Sequence, residues 1–214
     1  MSYICLILSG AALLINGLGL LGRVSARDSG IFNVIVGTLQ LILAGSLAVS
    51  AGSDGGLLLG ALGIVLFGIT YLYVGLNSLL NLGSTGVGWF CALVALIAVF
   101  YTADNIGRDP FLAVLWLSWA VLWSLFALIL AGGKSSLSPF TGWAVVLTSQ
   151  LTTTVPALAG LSGAWPAGPF PASLTAVVIA ALFGAALLIS RARRTPVVAT
   201  TGHGAAPVAE PVSA

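Results

Sequence analysis

The chain alternates long uncharged apolar stretches with short polar breaks, seven times in succession. The stretches run over residues 3–22, 31–51, 57–80, 87–103, 111–131, 140–160 and 172–190. About 20 apolar residues cross a bilayer as a helix, so each stretch predicts a transmembrane span. The fourth is the shortest, and the sixth holds Pro156 near its end. The breaks at 23–30, 53–56, 104–110 and 132–139 hold most of the charge. Residues 161–171 are rich in Gly and Pro and include Trp165, a candidate for the membrane interface. The expected fold is an all-α integral membrane protein. Residues 1–190 form its transmembrane domain. Residues 191–214, mostly Ala, Pro, Thr and Val, are expected to be a disordered cytoplasmic tail.

Composition supports the pattern. The chain is 59% hydrophobic and 6% charged, against about 25% charged in a soluble domain. Mean hydropathy is +1.14. Such a chain cannot clothe a water-facing surface. The first stretch has no basic leader and no convincing cleavage site after it, so it reads as a retained helix.

Charge placement sets the expected orientation. With the N-terminus outside, Arg23, Arg27, Lys134, Arg191, Arg193 and Arg194 fall inside, and only Arg108 falls outside. Six of seven basic residues on one side is the positive-inside pattern, and it requires an odd number of spans. Seven basic residues are too few for a nucleic-acid footprint.

The span interiors carry no Asp, Glu, Lys, Arg or His, and His203, the sole histidine, lies in the tail. Proton relays and ion paths need ionisable groups within the membrane. Metal sites, intramembrane proteases and serine nucleophiles need carboxylates, histidines or a general base. None is offered, so neither an enzyme nor a cofactor is expected. Cys5 and Cys91 both sit in apolar segments, which disfavours a disulfide. What remains inside is uncharged polarity: Ser9, Asn16, Asn33, Gln40, Thr70, Asn77, Thr148, Gln150 and Thr152 to Thr154. Interhelical hydrogen bonds, worth roughly 0.6–2 kcal/mol each, account for most of these. Asn16 and Asn77 lie near helix ends, where they either cap loops or line a pore mouth. Gly56 and Gly60 read as a close-packing pair.

Trp116, Trp119 and Trp123 follow steps of three and four, which place all three indoles on one helix face. Such a stripe at membrane depth is either a packing seam or the wall of a path for something flat. Phe67 and Tyr71 repeat the i, i+4 pattern on another span. Tyr71 lies about 14 residues and Trp123 about 12 residues in from the same membrane face, so at about 1.5 Å per residue they reach similar depth.

Three stretches together resemble the UreI/AmiS family of urea and short-chain amide channels. One is Asn16–Gly17 with Gly19, Gly22 and Val24, followed by Asn33 to Gly37. Another is Phe67 to Tyr73, followed by Asn77. The last is Trp116 to Trp123, with Phe140 to Trp143 opening the next span. The similarity covers roughly residues 3–160. It implies six family helices plus a seventh, and a homohexamer in the bacterial inner membrane with one pore per protomer. It further implies passive passage of urea and short amides such as acetamide through two aromatic and aliphatic constrictions. Carried over by motif, Leu13, Tyr71 and Trp123 form the constriction nearer the cytoplasm. Phe67, Trp116, Trp119 and Leu122 form the outer one, facing Leu6 and Ser9. The phenol and indole N–H groups would bond the solute edges. Acid-gated members have a histidine-bearing outer loop after span two, where this chain is short and lacks histidine. They carry a glutamate near the pore in span six, where alignment on Trp143 puts Thr148 as an expected pore-lining residue, and they end after span six. Passage without proton gating is therefore expected. The alternatives are a secondary transporter of a small neutral metabolite and a non-transporting scaffold or sensor.

Overall fold

The computed structural model describes residues 2–192. The expected tail, including His203, Arg193 and Arg194, lies outside the described residues apart from Arg191 and Ala192. Helices are α1 (Ser2–Leu20), α2 (Ala26–Ala51), α3 (Gly55–Leu80), α4 (Thr85–Asn105), α5 (Pro110–Leu130), α6 (Ser138–Thr152), α7 (Thr154–Leu161) and α8 (Pro169–Ala192). No strand occurs among the described residues. Seven helical segments are long and apolar enough to cross a membrane.

Local chemistry explains the ends. Ser25 and Asp54 accept hydrogen bonds from Asp28 N and Leu57 N, capping α2 and α3. The Ser25 cap starts α2 at Ala26, earlier than the apolar pattern at 31 suggested. Asp109 accepts from Leu112 N, and Pro110 opens α5, where its missing N–H costs nothing. Asn81 ends α3 in the left-handed conformation at φ 53°. The Asn77 amide, oriented to donate, reaches the Leu82 and Gly83 carbonyls at 2.9 and 3.0 Å. Asn77 thus caps the loop that follows α3.

The sixth span is broken. It runs from Ser135 to Leu161 as a 3-10 turn followed by α6 and α7, which part at Thr153 (φ −129°, ψ −72°). Pro156 cannot donate to the Thr152 carbonyl, and its ring crowds that turn. Three hydroxyls take up acceptors one turn back. Thr152 donates to the Thr148 carbonyl at 3.0 Å, Thr153 to the Ser149 carbonyl, and Thr154 to Gln150 Oε1 at 2.7 Å.

α2 pairs with α3 and α4 with α5 as antiparallel hairpins, α1 lies against α6 and α7, and α8 covers α6 and α5. Glycines bring α2 and α3 into backbone contact. A Cβ on Gly37 would sit 2.5 Å from Leu72 N and 2.7 Å from the Gly68 carbonyl. One on Gly75 would sit 2.8 Å from the Gly30 carbonyl. Gly56 and Gly60 do not serve this purpose. A Cβ on Gly60 would meet nothing within 4 Å, and one on Gly56 would meet only Asp54, so the expected packing pair faces open space.

Candidate functional site: two chambers on an aromatic septum

The tryptophan stripe faces inward. Trp116, Trp119 and Trp123 are buried on α5 and converge on Phe67 of α3. The Phe67 ring centroid lies 4.5 Å from Trp123, 5.3 Å from Trp119 and 6.0 Å from Trp116. All three indoles meet it edge-on, at interplanar angles of 76°, 88° and 67°. This is the electrostatically preferred arrangement of aromatic rings. Tyr71, one turn further along α3, lies 6.1 Å from Phe67.

Two cavities lie along this stripe. One, of about 500 Å³, opens toward Ser2, Asp104 and Asp109 and is termed the Asp109-side vestibule. Leu6, Ser9, Gln40, Phe67, Trp116 and Trp119 stand in its wall. The other, of about 250 Å³, is termed the Asn16-side chamber. Leu13, Asn16, Phe67, Tyr71, Trp119, Leu122 and Trp123 stand in its wall. The residues common to both walls are Phe67 and Trp119. These two rings form the septum between the cavities.

The expected residues therefore sort as follows. Leu13, Tyr71 and Trp123 stand together, as do Leu6, Ser9 and Trp116 at the other end. Leu122 changes side. One residue before Trp123, it lies at nearly the same depth, within about 1.5 Å along the helix, and it lines the Asn16-side chamber. Asn16 lines that chamber, whereas Asn77 lines neither. Thr148 also lines neither. It is fully buried and donates to the Ala144 carbonyl of its own helix at 2.7 Å. Thr152, one turn later, reaches the stripe instead, accepting from Trp119 Nε1 at 3.2 Å.

That bond changes the inventory of free donors. The Trp119 N–H is committed, and Tyr71 Oη donates over 3.4 Å to the Ser9 carbonyl. Trp116 and Trp123 make no indole hydrogen bond among the described residues. One free indole N–H is thus left to each cavity.

Tyr101, not singled out in the sequence, stacks on Trp116 at 4.1 Å and 11°, and donates to the Leu59 carbonyl at 2.7 Å. It also lines the vestibule, as do Gly56, Gly60 and Gly63. A signal existed. Folding α4 back on α5 about the 106–109 turn brings residue 101 level with about 114–116. At the mouth, Trp165 donates to Asp109 Oδ2 at 2.8 Å and packs against Phe111 and Tyr3. The connector before α8 thereby folds onto the vestibule rim.

At the other end, Asn16 joins α1 to α2. Asn33 Nδ2 donates to Asn16 Oδ1 at 2.6 Å, Asn16 Nδ2 returns a bond to Asn33 Oδ1 at 3.0 Å, and Ser29 Oγ donates to Asn16 Oδ1 at 3.0 Å. Cys5 and Cys91 are free and line opposite cavities. No cluster of metal-ligating side chains occurs among the described residues.

The fold and its two central cavities define a multi-pass helical membrane protein with an aromatic-lined interior. A model of the AmiS/UreI family of transporters matches residues 1–164. A Rhodococcus erythropolis protein that carries the transporter name AmiS2 is 41% identical over 192 residues, 89% of this chain and 93% of the relative. A Mycolicibacterium smegmatis protein named as a transporter of amidate substrates is 40% identical, covering 79% of this chain and 80% of its own. The acid-activated urea channel of Helicobacter pylori strain J99 is 28% identical over 69% of this chain. The crystal structure of the Helicobacter pylori urea channel superposes with a TM-score of 0.71 at 24% identity, covering 78% of this chain and all of that one. The chain belongs to the AmiS/UreI family, whose members are channels and transporters rather than enzymes.

Proposed function

We propose that this protein is a passive channel for urea and short-chain aliphatic amides, such as acetamide, across the bacterial inner membrane. The observation that carries the reading is the septum: two cavities meeting at Phe67 and Trp119, with no ionisable side chain at the meeting point. The names of the Mycolicibacterium and Helicobacter relatives point to the same solute class.

The chemistry follows from the walls. Removing an amide from water without replacement costs roughly 2–7 kcal/mol. Aromatic edges and faces return part of this by dispersion and π contact. The free N–H groups of Trp116 and Trp123 offer a donor to the solute carbonyl on each side. An ion would lose its hydration with no compensating charge and is rejected. Holding the solute weakly keeps it moving.

The vestibule faces outside and the Asn16-side chamber faces the cytoplasm, which places Arg23, Arg27, Lys134 and Arg191 inside. Each protomer has its own pore within a homohexamer, which predicts a hexameric mass in detergent. Proton gating is absent. The charged side chains in the cavity walls are Asp104, Arg108 and Asp109, and no histidine stands among the lining residues. The α2–α3 turn is three residues, Gly52 to Asp54, without a histidine.

Solute uptake into proteoliposomes tests the reading. Urea, formamide and acetamide should enter without an ion gradient, without saturation at low millimolar levels, and at rates constant between pH 5 and 8. Saturation together with dependence on an imposed ion gradient would instead indicate a secondary transporter. Steep acid activation would overturn the ungated mechanism.

A further inference from the structure

Two buried side-chain atoms have no hydrogen-bond partner among the described residues, Gln40 Oε1 and Thr141 Oγ1, and only Gln40 lines one of the two cavities. Gln40 projects from α2 to α1, where its Nε2 donates to the Cys5 carbonyl at 2.7 Å and to Ser9 Oγ at 2.8 Å. Both donor hydrogens are thereby spent, and the plane of the carboxamide is fixed. Its oxygen is left as a bare acceptor. Buried acceptors in native proteins are rarely unpaired, and one that is unpaired calls for a ligand or a function. Beside it, Ser9 Oγ accepts from Gln40, and its own hydrogen has no acceptor among the described residues. Gln40 and Ser9 share the vestibule wall with Phe67 and Trp116.

We propose that the Gln40 carboxamide and the Ser9 hydroxyl form a binding subsite for the edge of a planar amide or urea, just outside the septum. Gln40 Oε1 accepts a solute N–H. The Ser9 O–H and the Trp116 indole N–H donate to the solute carbonyl, while the surrounding rings cover its faces. The inference rests on the channel reading given above and adds the residues that read the solute. The two Nε2 bonds hold the acceptor in place before the solute arrives, so little order is lost on contact. Oε1 is covered in this state, so the side chains over it part as the solute enters.

Gln40→Met keeps the length of the side chain and removes the carboxamide. In proteoliposomes of the full chain, stopped-flow light scattering gives urea, acetamide and water permeabilities side by side. The urea-to-water and acetamide-to-water ratios should fall about fivefold in Q40M, the loss expected for one hydrogen bond, and about threefold in Ser9→Ala. If Q40M is not recovered folded, the S9A ratios decide, since alanine fits a helix without strain. Unchanged ratios, or solute and water falling together, would make Gln40 a strut between α1 and α2 and overturn the subsite while leaving the channel standing. A wild-type urea rate equal to that of protein-free liposomes would instead remove the channel reading, and the subsite with it.

Discussion

Trp119 shows how one side chain fixes the character of the path. Its indole is the middle ring of three, it faces both cavities, and it alone of the three spends its N–H on the protein, at Thr152. The septum is therefore held rigid, while the free donors flank it. Thr152→Val should leave a buried N–H unpaired and cost about 1–3 kcal/mol. Thr148→Val should cost well under 1 kcal/mol, because that hydroxyl only back-bonds within its own helix. Thermal unfolding in detergent separates them, and equal losses would refute the assignment. Alignment on Trp143 pointed to Thr148. The hydroxyl that meets Trp119 lies four positions later, at Thr152, because that contact depends on how α6 ends, and no local pattern reports that. The stripe itself was legible, since steps of three and four put side chains on one face whatever surrounds them. Leu122, expected in the outer constriction, lines the Asn16-side chamber instead of the vestibule, since the pattern gave its face but not the depth of the septum.

At the scale of elements, the apolar stretches gave the spans to within a few residues, because about 20 apolar residues in a row have few other fates. The caps moved some boundaries outward, as Ser25 did for α2. Two features needed the assembled bundle. Pro156 signalled trouble in the sixth span, but the break falls at Thr153, where two hydroxyls bond backbone carbonyls one turn back and a third bonds the Gln150 side chain. The glycines were harder still. Gly56 and Gly60 have the spacing of a packing pair and open onto the vestibule instead, while Gly37 and Gly75 make the backbone contacts between α2 and α3. Spacing identifies a small-residue face without saying what it faces. Gly37→Ala should therefore destabilise the protein by about 1–3 kcal/mol through overpacking, lowering its melting temperature. Gly60→Ala, inside α3 with nothing within 4 Å of the added methyl, should leave it unchanged or slightly raised. A melting temperature unchanged by Gly37→Ala would contradict the close approach of the two helices.

For the whole molecule, the absence of charge along the path is the organising fact. It led composition to predict a path without proton relays or metal chemistry before any contact was known, and among the described residues Asp104, Arg108 and Asp109 stand in the vestibule wall away from the septum. The seventh span follows the arithmetic of the positive-inside rule. In the fold it becomes α8, packed on α5 and α6, with the Trp165 connector resting on the vestibule rim. The account stands or falls on passage through the Phe67–Trp119 septum without an energy source. The most direct measurement is stopped-flow reswelling of proteoliposomes in a urea or acetamide gradient at pH 7, with no ion or proton gradient imposed. The account predicts reswelling much faster than in protein-free liposomes of the same lipid. Equal rates in the two would contradict it.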